Sequence, residues 1–66
     1  MSVAKVVEIS SSSPVSFQDA IEKGIERACK TLKNVTGAWV NEEKVVVNDC
    51  KITEYRVNMK VSFLIQ

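Results

Sequence analysis

The sequence predicts an α+β fold with the element order β-α-β-β, in which a three-stranded antiparallel sheet of order 1-3-2 is wrapped on one helix. Three patterns lead to this prediction. An apolar stripe with helical spacing runs through residues 17–33, a regular alternation of apolar and polar residues fills 52–65, and a weaker strand pattern occupies 38–47. The chain of 66 residues has the length of one small domain, spanning 1–66.

The first strand is predicted over residues 3–9, where β-branched residues predominate. Because side chains alternate along a strand, Val7 and Ile9 share one face and Val6 lies on the other. The serines and the proline of residues 10–16 then break the pattern and are typical of a loop.

The helix is predicted over residues 17–33. Ser16 is placed to cap its first turn, and Asp19 three residues later forms a weaker relative of the capping box. Residues 34–37 are expected to end the helix, with Gly37 as the helix breaker. The residues that recur at spacings of three and four form one apolar stripe for packing on the sheet: Phe17, Ala20, Ile21, Gly24, Ile25, Ala28 and Leu32.

The second strand, residues 38–47, is less regular and is followed by a turn at 48–51. Val40 and Val45 have opposite parity, so they cannot share a face in a regular strand. One extra residue between the two valines would let them share a face. We therefore predict a β-bulge near Glu43 and Lys44, with Val40, Val45 and Val47 all facing the helix.

The sheet face away from the helix is predicted to be open, with Trp39 on it beside Arg56, Asn58 and Lys60. The third strand is the longest and most apolar, which favours the central position and leaves the two outer strands with open edges. A chain of this size buries only about 60% of its unfolded surface, and one helix covers only one side of the sheet. Both arguments predict association with further copies of the chain.

Composition argues against several classes of function. A net charge of +1 without a basic run disfavours nucleic-acid binding, and no apolar run approaches the ~20 residues that span a membrane. The absence of histidine removes the usual acid-base group, so no enzyme is predicted. Cys29 and Cys50 are expected to be ordinary thiols of a reducing compartment, the cytoplasm, since the N-terminus lacks the pattern of a secretory signal.

Two groups of residues are candidates for binding. Trp39 is suited either to packing between subunits or, beside Arg56 and Lys60, to stacking on a planar ring whose polar or phosphate groups meet the cations. The acidic residues of the second strand and its turn are either a solvated surface or part of a cation site at a subunit junction. These acidic residues are Glu42, Glu43 and Asp49.

The chain resembles the dodecins over essentially its full length. The matching segments are "KVVEI", "SSSP", "SFQDAIEKGIERACKTLKNV" and "ITEYRVNMKVSFLI". The resemblance implies a hollow homododecamer, built from trimers and dimers, that stores or protects riboflavin or FMN at subunit interfaces without turnover.

The candidate flavin-binding residues are Trp39, Arg56, Gly37 and Lys60. The resemblance points to the positions of Gly37 and Arg56, and the polar face of the sheet adds Trp39 and Lys60. The family's stacking tryptophan falls on Gly37, and Trp39 lies two residues further, on the same face but about 6–7 Å away. The glutamine that contacts the ring edge in the family falls on Arg56. These two departures leave an alternative open, a dodecin-like cage that does not bind flavin and is structural or holds a cation or another small ligand.

Overall fold

The computed structural model describes residues 2–65 and has the predicted order of elements. They are β1 (Ala4–Ser13), α1 (Phe17–Thr31), β2 (Val35–Asn48) and β3 (Lys51–Leu64). The strand β3 lies in the centre and pairs antiparallel with both neighbours, in the order β1-β3-β2. The predicted α+β class and the sheet order 1-3-2 are therefore confirmed.

Strand β1 is longer than predicted, because residues 10–13 continue it. Ser10 pairs with Asn58 and Ser13 pairs with Tyr55 of β3. The prediction of a loop was wrong for these serines, since pairing with β3 satisfies their backbone groups and overrides their weak strand propensity. The connection to the helix is reduced to residues 14–16.

The start of α1 is held by two serines. As predicted, Ser16 caps the helix, and its Oγ accepts a hydrogen bond from the backbone N–H of Asp19 at 3.0 Å. The buried hydroxyl of Ser13 donates to the Asp19 carboxylate at 2.6 Å and accepts from the Val15 N–H at 2.9 Å. The end of β1 and the first turn of α1 are thereby joined.

The helix ends at Thr31, two residues before the predicted end, and Gly37 does not end it. Leu32 is already extended, and the chain turns through Asn34, whose φ is +62°. Asparagine tolerates this left-handed conformation better than most residues. Gly37 has no positive φ and lies within β2, so its predicted role as the helix breaker was wrong.

The core lies between α1 and β3 and is small. Its buried apolar side chains are Ala20, Ala28, Val57, Met59 and Val61. Gly24 permits the close approach of helix and sheet, since a Cβ there would lie 2.7 Å from Met59 Cε and 2.9 Å from Ser11 Cβ. Phe17 and Tyr55 close one end of the core with an edge-to-face contact, at 5.2 Å between ring centroids.

Strand β2 contains the predicted bulge, but at another residue. Val40 and Glu42 pair with consecutive residues of β3, which leaves Asn41 as the extra residue. The predicted position near Glu43 and Lys44 was wrong. At Asn41 the side-chain amide donates to the Asn58 side chain at 3.3 Å, a contact that parity alone does not reveal.

The valines of β2 lie on the predicted side of the sheet without being covered. Val40 pairs with Met59 and Val45 with Tyr55, and both partners belong to the helix side. The helix packs mainly on β1 and β3, however, so Val40 and Val47 remain 45% and 57% exposed. The helix side of the hairpin is therefore an apolar surface that no other part of residues 2–65 covers.

The β2–β3 hairpin turns through Asp49 and Cys50, within the predicted turn. Both residues have positive φ, +55° and +60°, as a two-residue type I′ turn requires. The strands of this hairpin have 14 residues each, about 46 Å at the rise of a strand, whereas the 15 residues of α1 span about 22 Å. The hairpin consequently extends past the helix, and the molecule measures 51 × 19 × 14 Å.

Among residues 2–65, the structure contains no helix with the length and apolar character needed to cross a membrane.

Candidate functional site

The side of the sheet opposite α1, called the open face below, carries the tryptophan. Trp39 pairs with Lys60 of β3, and Lys60 pairs on its other side with Glu8 of β1, so the three side chains form one row across the sheet. Trp39 is 60% exposed. Its indole is thus available to a ligand or to another subunit.

Gly37 lies on the open face one two-residue step before Trp39 and pairs with Ser62. The Ser62 hydroxyl donates to the Gly37 carbonyl at 3.2 Å. A Cβ at Gly37 would meet only Ser62 Oγ, at an ordinary contact distance of 3.8 Å. The position therefore has room for a side chain, and its glycine is not required by backbone conformation.

Arg56 also lies on the open face but at some distance from the indole. It lies four positions before Lys60 on β3, which corresponds to about 13 Å along the strand. Its Nε donates to the Glu54 carboxylate at 2.6 Å in an ion pair that is about half exposed. The structure therefore brings Trp39, Gly37 and Lys60 together, and it separates Arg56 from them within one chain.

A polar network occupies the row of the open face that lies between the rows of Arg56 and Lys60. The Asn58 amide donates to Ser10 Oγ at 3.3 Å, and its carbonyl oxygen accepts from the Asn41 amide at 3.3 Å. Asn58 is fixed at both ends by these bonds. On β2 it pairs with Glu42, whose carboxylate shares the open face.

A shallow depression of about 410 Å³ lies over this part of the sheet. Its lining residues are Ser10, Ser11, Ser12, Glu42, Lys44, Arg56, Val57 and Asn58. Sequence reasoning missed Ser10, Ser12 and Lys44, because the serines were assigned to a loop and the bulge was placed at Lys44. The alternation of faces along β1 could have identified the serines. Val6 and Glu8 lie on the open face, so Ser10 and Ser12 lie on it too if the strand continues.

The acidic candidates for a cation site are not brought together. Glu42 pairs with Asn58 on the open face, Glu43 pairs with Val57 on the helix side, and Asp49 lies in the hairpin turn. Over residues 2–65, no group of three or more acidic or cysteine side chains is arranged to hold a metal ion.

Both cysteines are free and exposed. Cys29 lies on α1 and Cys50 in the hairpin turn. Neither belongs to the open face or to the core.

Comparison with known proteins gives consistent matches over almost the whole chain. The family model Dodecin matches residues 3–66. The calcium dodecin of Mycobacterium tuberculosis is 33% identical over 63 residues, which cover 96% of this chain and 89% of the relative.

Two solved structures support the same relationship. Dodecin from Streptomyces davaonensis superimposes with a TM-score of 0.93 at 35% identity, covering 98% of this chain and 96% of that one. The calcium-chelating immunodominant antigen of M. tuberculosis, calcium dodecin with a novel calcium-binding site, gives 0.84 at 30% identity, covering 97% and 91%. Because the family model, the sequence relative and the fold agree over nearly all residues, the chain belongs to the dodecin family.

Proposed function

We propose that this chain is a homo-oligomeric binding protein that stores or sequesters a flavin, riboflavin or FMN, at junctions between its subunits in the cytoplasm. The observation that carries the proposal is the exposed indole of Trp39 on a polar sheet face, beside Lys60. A large flat ring in that position suits a planar aromatic ligand with polar edges. The function requires binding and no turnover, in keeping with a chain that has no histidine.

Two bare surfaces support association of the subunits. The open face carries Trp39 and Val6, and the helix side of the hairpin carries Val40 and Val47. The radius of gyration of 13.5 Å exceeds the about 11 Å expected of a compact chain of this length. Other copies of the chain are the natural cover for these surfaces, and the assembly that we propose is the dodecamer implied by the family.

Trp39 is the stacking residue in this proposal. Stacking on an indole contributes about 0.5–1.5 kcal/mol beyond the burial of area, and it brings the flavin close enough for its excited state to be quenched. Lys60 lies next to the indole and offers a donor to carbonyl oxygens on the ring edge. Gly37 leaves the neighbouring space on β2 open for the ligand.

Titration with flavin tests this function. Riboflavin or FMN at fixed concentration is titrated with the purified protein while flavin fluorescence is followed. We expect quenching at micromolar protein, a large loss of quenching in Trp39→Ala, and a smaller loss in Trp39→Phe, which keeps an aromatic ring. Light scattering on each variant shows whether the assembly persists. Unquenched fluorescence of both flavins with the assembled wild-type protein would refute the proposal.

A second substitution examines whether the position of the indole matters. Because a Cβ at Gly37 meets only Ser62 Oγ, at 3.8 Å, and the position faces outward on the open face, Gly37→Trp is expected to fit. We expect the double variant Gly37→Trp/Trp39→Ala to regain the quenching that Trp39→Ala loses, since the indole then stands at the family's stacking position. No recovery in an assembled double variant would show that the two positions open onto different environments.

Calcium binding is a second candidate, and it is favoured by the similarity to the calcium dodecin of M. tuberculosis in both sequence and structure. Glu8 and Glu42 place carboxylates on the open face, where copies of the chain can meet. Calorimetric titration of chelator-treated protein with Ca²⁺, with Mg²⁺ as the control, distinguishes this function. Saturable heat with Ca²⁺ that is lost in Glu42→Gln would support it, and featureless dilution heats would exclude it.

A further inference from the structure

A second concave surface lies on the helix side of the sheet, between the flank of α1 and the outer edge of β1. It encloses about 390 Å³, which is the size of a small-ligand site. The helix and β1 are in contact at Gly24, where an added Cβ would lie 2.9 Å from Ser11 Cβ, so the surface is closed on its inner side. On its outer side, no strand of residues 2–65 covers β1. We call this surface the edge groove.

The edge groove has an apolar floor. Val7 and Ile9 contribute to it from the helix side of β1, and Ala28 and Leu32 contribute from α1. Val7, Ile9 and Leu32 are only partly buried, so they present apolar surface that residues 2–65 leave accessible. From Val7 to Ser11 the floor extends about 13 Å along β1. An extended hydrocarbon chain is the ligand element that gains most from covering such a floor.

The rim of the edge groove is positively charged. Lys23 and Arg27 both line it, one helical turn apart, and like charges at this spacing repel each other. The ammonium group of Lys23 lies 3.8 Å from the Asp19 carboxylate, and its side chain is 65% exposed. The ion pairs found within residues 2–65 do not include Arg27, and none of the described residues that line the groove is acidic. An anion between the two cations would remove their repulsion.

We propose that the edge groove binds a free anionic amphiphile, a carboxylate with an unbranched hydrocarbon chain. The guanidinium of Arg27 donates paired hydrogen bonds to the carboxylate, and Lys23 adds a second positive charge. The chain lies along the apolar floor between α1 and β1. A groove of this volume holds a single chain, which favours a free carboxylate over the surface of a bilayer. The site lies on the side of the sheet opposite Trp39, so it is independent of the proposed flavin function.

Calorimetric titration of the assembled protein with decanoate, below the concentration at which it forms micelles, tests the proposal. Decyltrimethylammonium has the same hydrocarbon chain with a positive head group, and acetate has the carboxylate without the chain. We expect saturable binding of decanoate and at least about tenfold weaker binding of both other compounds, because the site needs the charge and the chain together. These three titrations need no variant of the protein.

Variants of the rim locate the site. We expect Arg27→Gln to lower decanoate affinity by about tenfold and Arg27→Lys to lower it less, since the charge remains. Lys30→Gln removes a charge from α1 at a residue that does not line the edge groove, and it should leave the affinity unchanged. Thr31→Trp places a large ring on the exposed rim and should abolish decanoate binding. Flavin quenching should be unchanged in all four variants.

Four outcomes would overturn the proposal. Absence of saturable decanoate binding is the first, and equal binding of decanoate and decyltrimethylammonium is the second, since it would show apolar contact alone. A fall in the assembled mass when decanoate is added, measured by light scattering, would show that the edge groove is a contact between copies of the chain. Sedimentation of the protein with phosphatidylglycerol vesicles, without binding of free decanoate, would show that the groove meets a membrane surface.

Discussion

Gly24 shows how a single residue determines the distance between helix and sheet. An added Cβ would lie 2.7 Å from Met59 Cε, which can move, and 2.9 Å from Ser11 Cβ, which is attached to the backbone of β1. Although alanine is about 1 kcal/mol better than glycine in a helix, overpacking costs about 1–3 kcal/mol. We expect Gly24→Ala to lower the free energy of unfolding by about 1–2 kcal/mol in urea denaturation at fixed protein concentration.

The other glycine is the matched control for this prediction. Gly37→Ala adds a Cβ at an ordinary contact distance of 3.8 Å and should change stability by less than about 0.5 kcal/mol. Adding Ser11→Gly to Gly24→Ala should recover part of the loss, since it removes the less movable of the two atoms. Similar losses for Gly24→Ala and Gly37→Ala would contradict the packing explanation.

At the scale of elements, the hairpin turn contains a residue type that does not favour the backbone conformation it adopts. Cys50 has a φ of +60°, a conformation in which residues other than glycine and asparagine are strained. The favoured sequence for such a turn has glycine at this second position. We expect Cys50→Gly to raise the free energy of unfolding by about 1 kcal/mol, measured by thermal or urea unfolding.

Two comparisons check the origin of that gain. Cys29→Ala removes the other exposed thiol without touching a strained position, and it should be near neutral. Cys50→Val should lower stability, because a β-branched residue fits a positive φ poorly. A gain from Cys50→Ser equal to that from Cys50→Gly would point to the thiol rather than to the backbone.

Among the elements, predictions were most accurate where one pattern ran without interruption. The alternation of 52–65 and the apolar stripe of the helix each identified an element within a few residues of its bounds. Residues 10–13 and Gly37 were misassigned, because serine and glycine favour turns locally and join strands here through pairing with β3. The binding roles of Trp39 and Lys60 stay predictions that the titrations test.

At the scale of the whole molecule, the shape argues for assembly. A hairpin of about 46 Å extends beyond a helix of about 22 Å, and the core contains few large side chains. We expect light scattering to give a mass near twelve times 7.3 kDa, about 88 kDa, because the proposed dodecamer would cover the exposed apolar surfaces with other copies of the chain. A mass of one chain at micromolar concentration would contradict both the packing argument and the proposed assembly.

Trp39→Ala refines the prediction of mass. If the indole serves mainly the ligand, the assembled mass stays near that of the wild-type protein while flavin quenching is lost. If the indole serves mainly contact between subunits, the mass falls with dilution. The same variant therefore separates the two roles that the sequence leaves open for this residue.

The sequence by itself determined the order of elements and the face on which Trp39 lies, because these follow from the periodicity of each segment. It also determined the central position of β3, through the length and apolar character of that strand. Only the tertiary structure decided that residues 10–13 extend β1, that the bulge lies at Asn41 and that Lys44 stands opposite Arg56. These features depend on the register between strands. Register depends on how one strand pairs with another and on the turn that joins them, so the pattern of a single segment does not fix it.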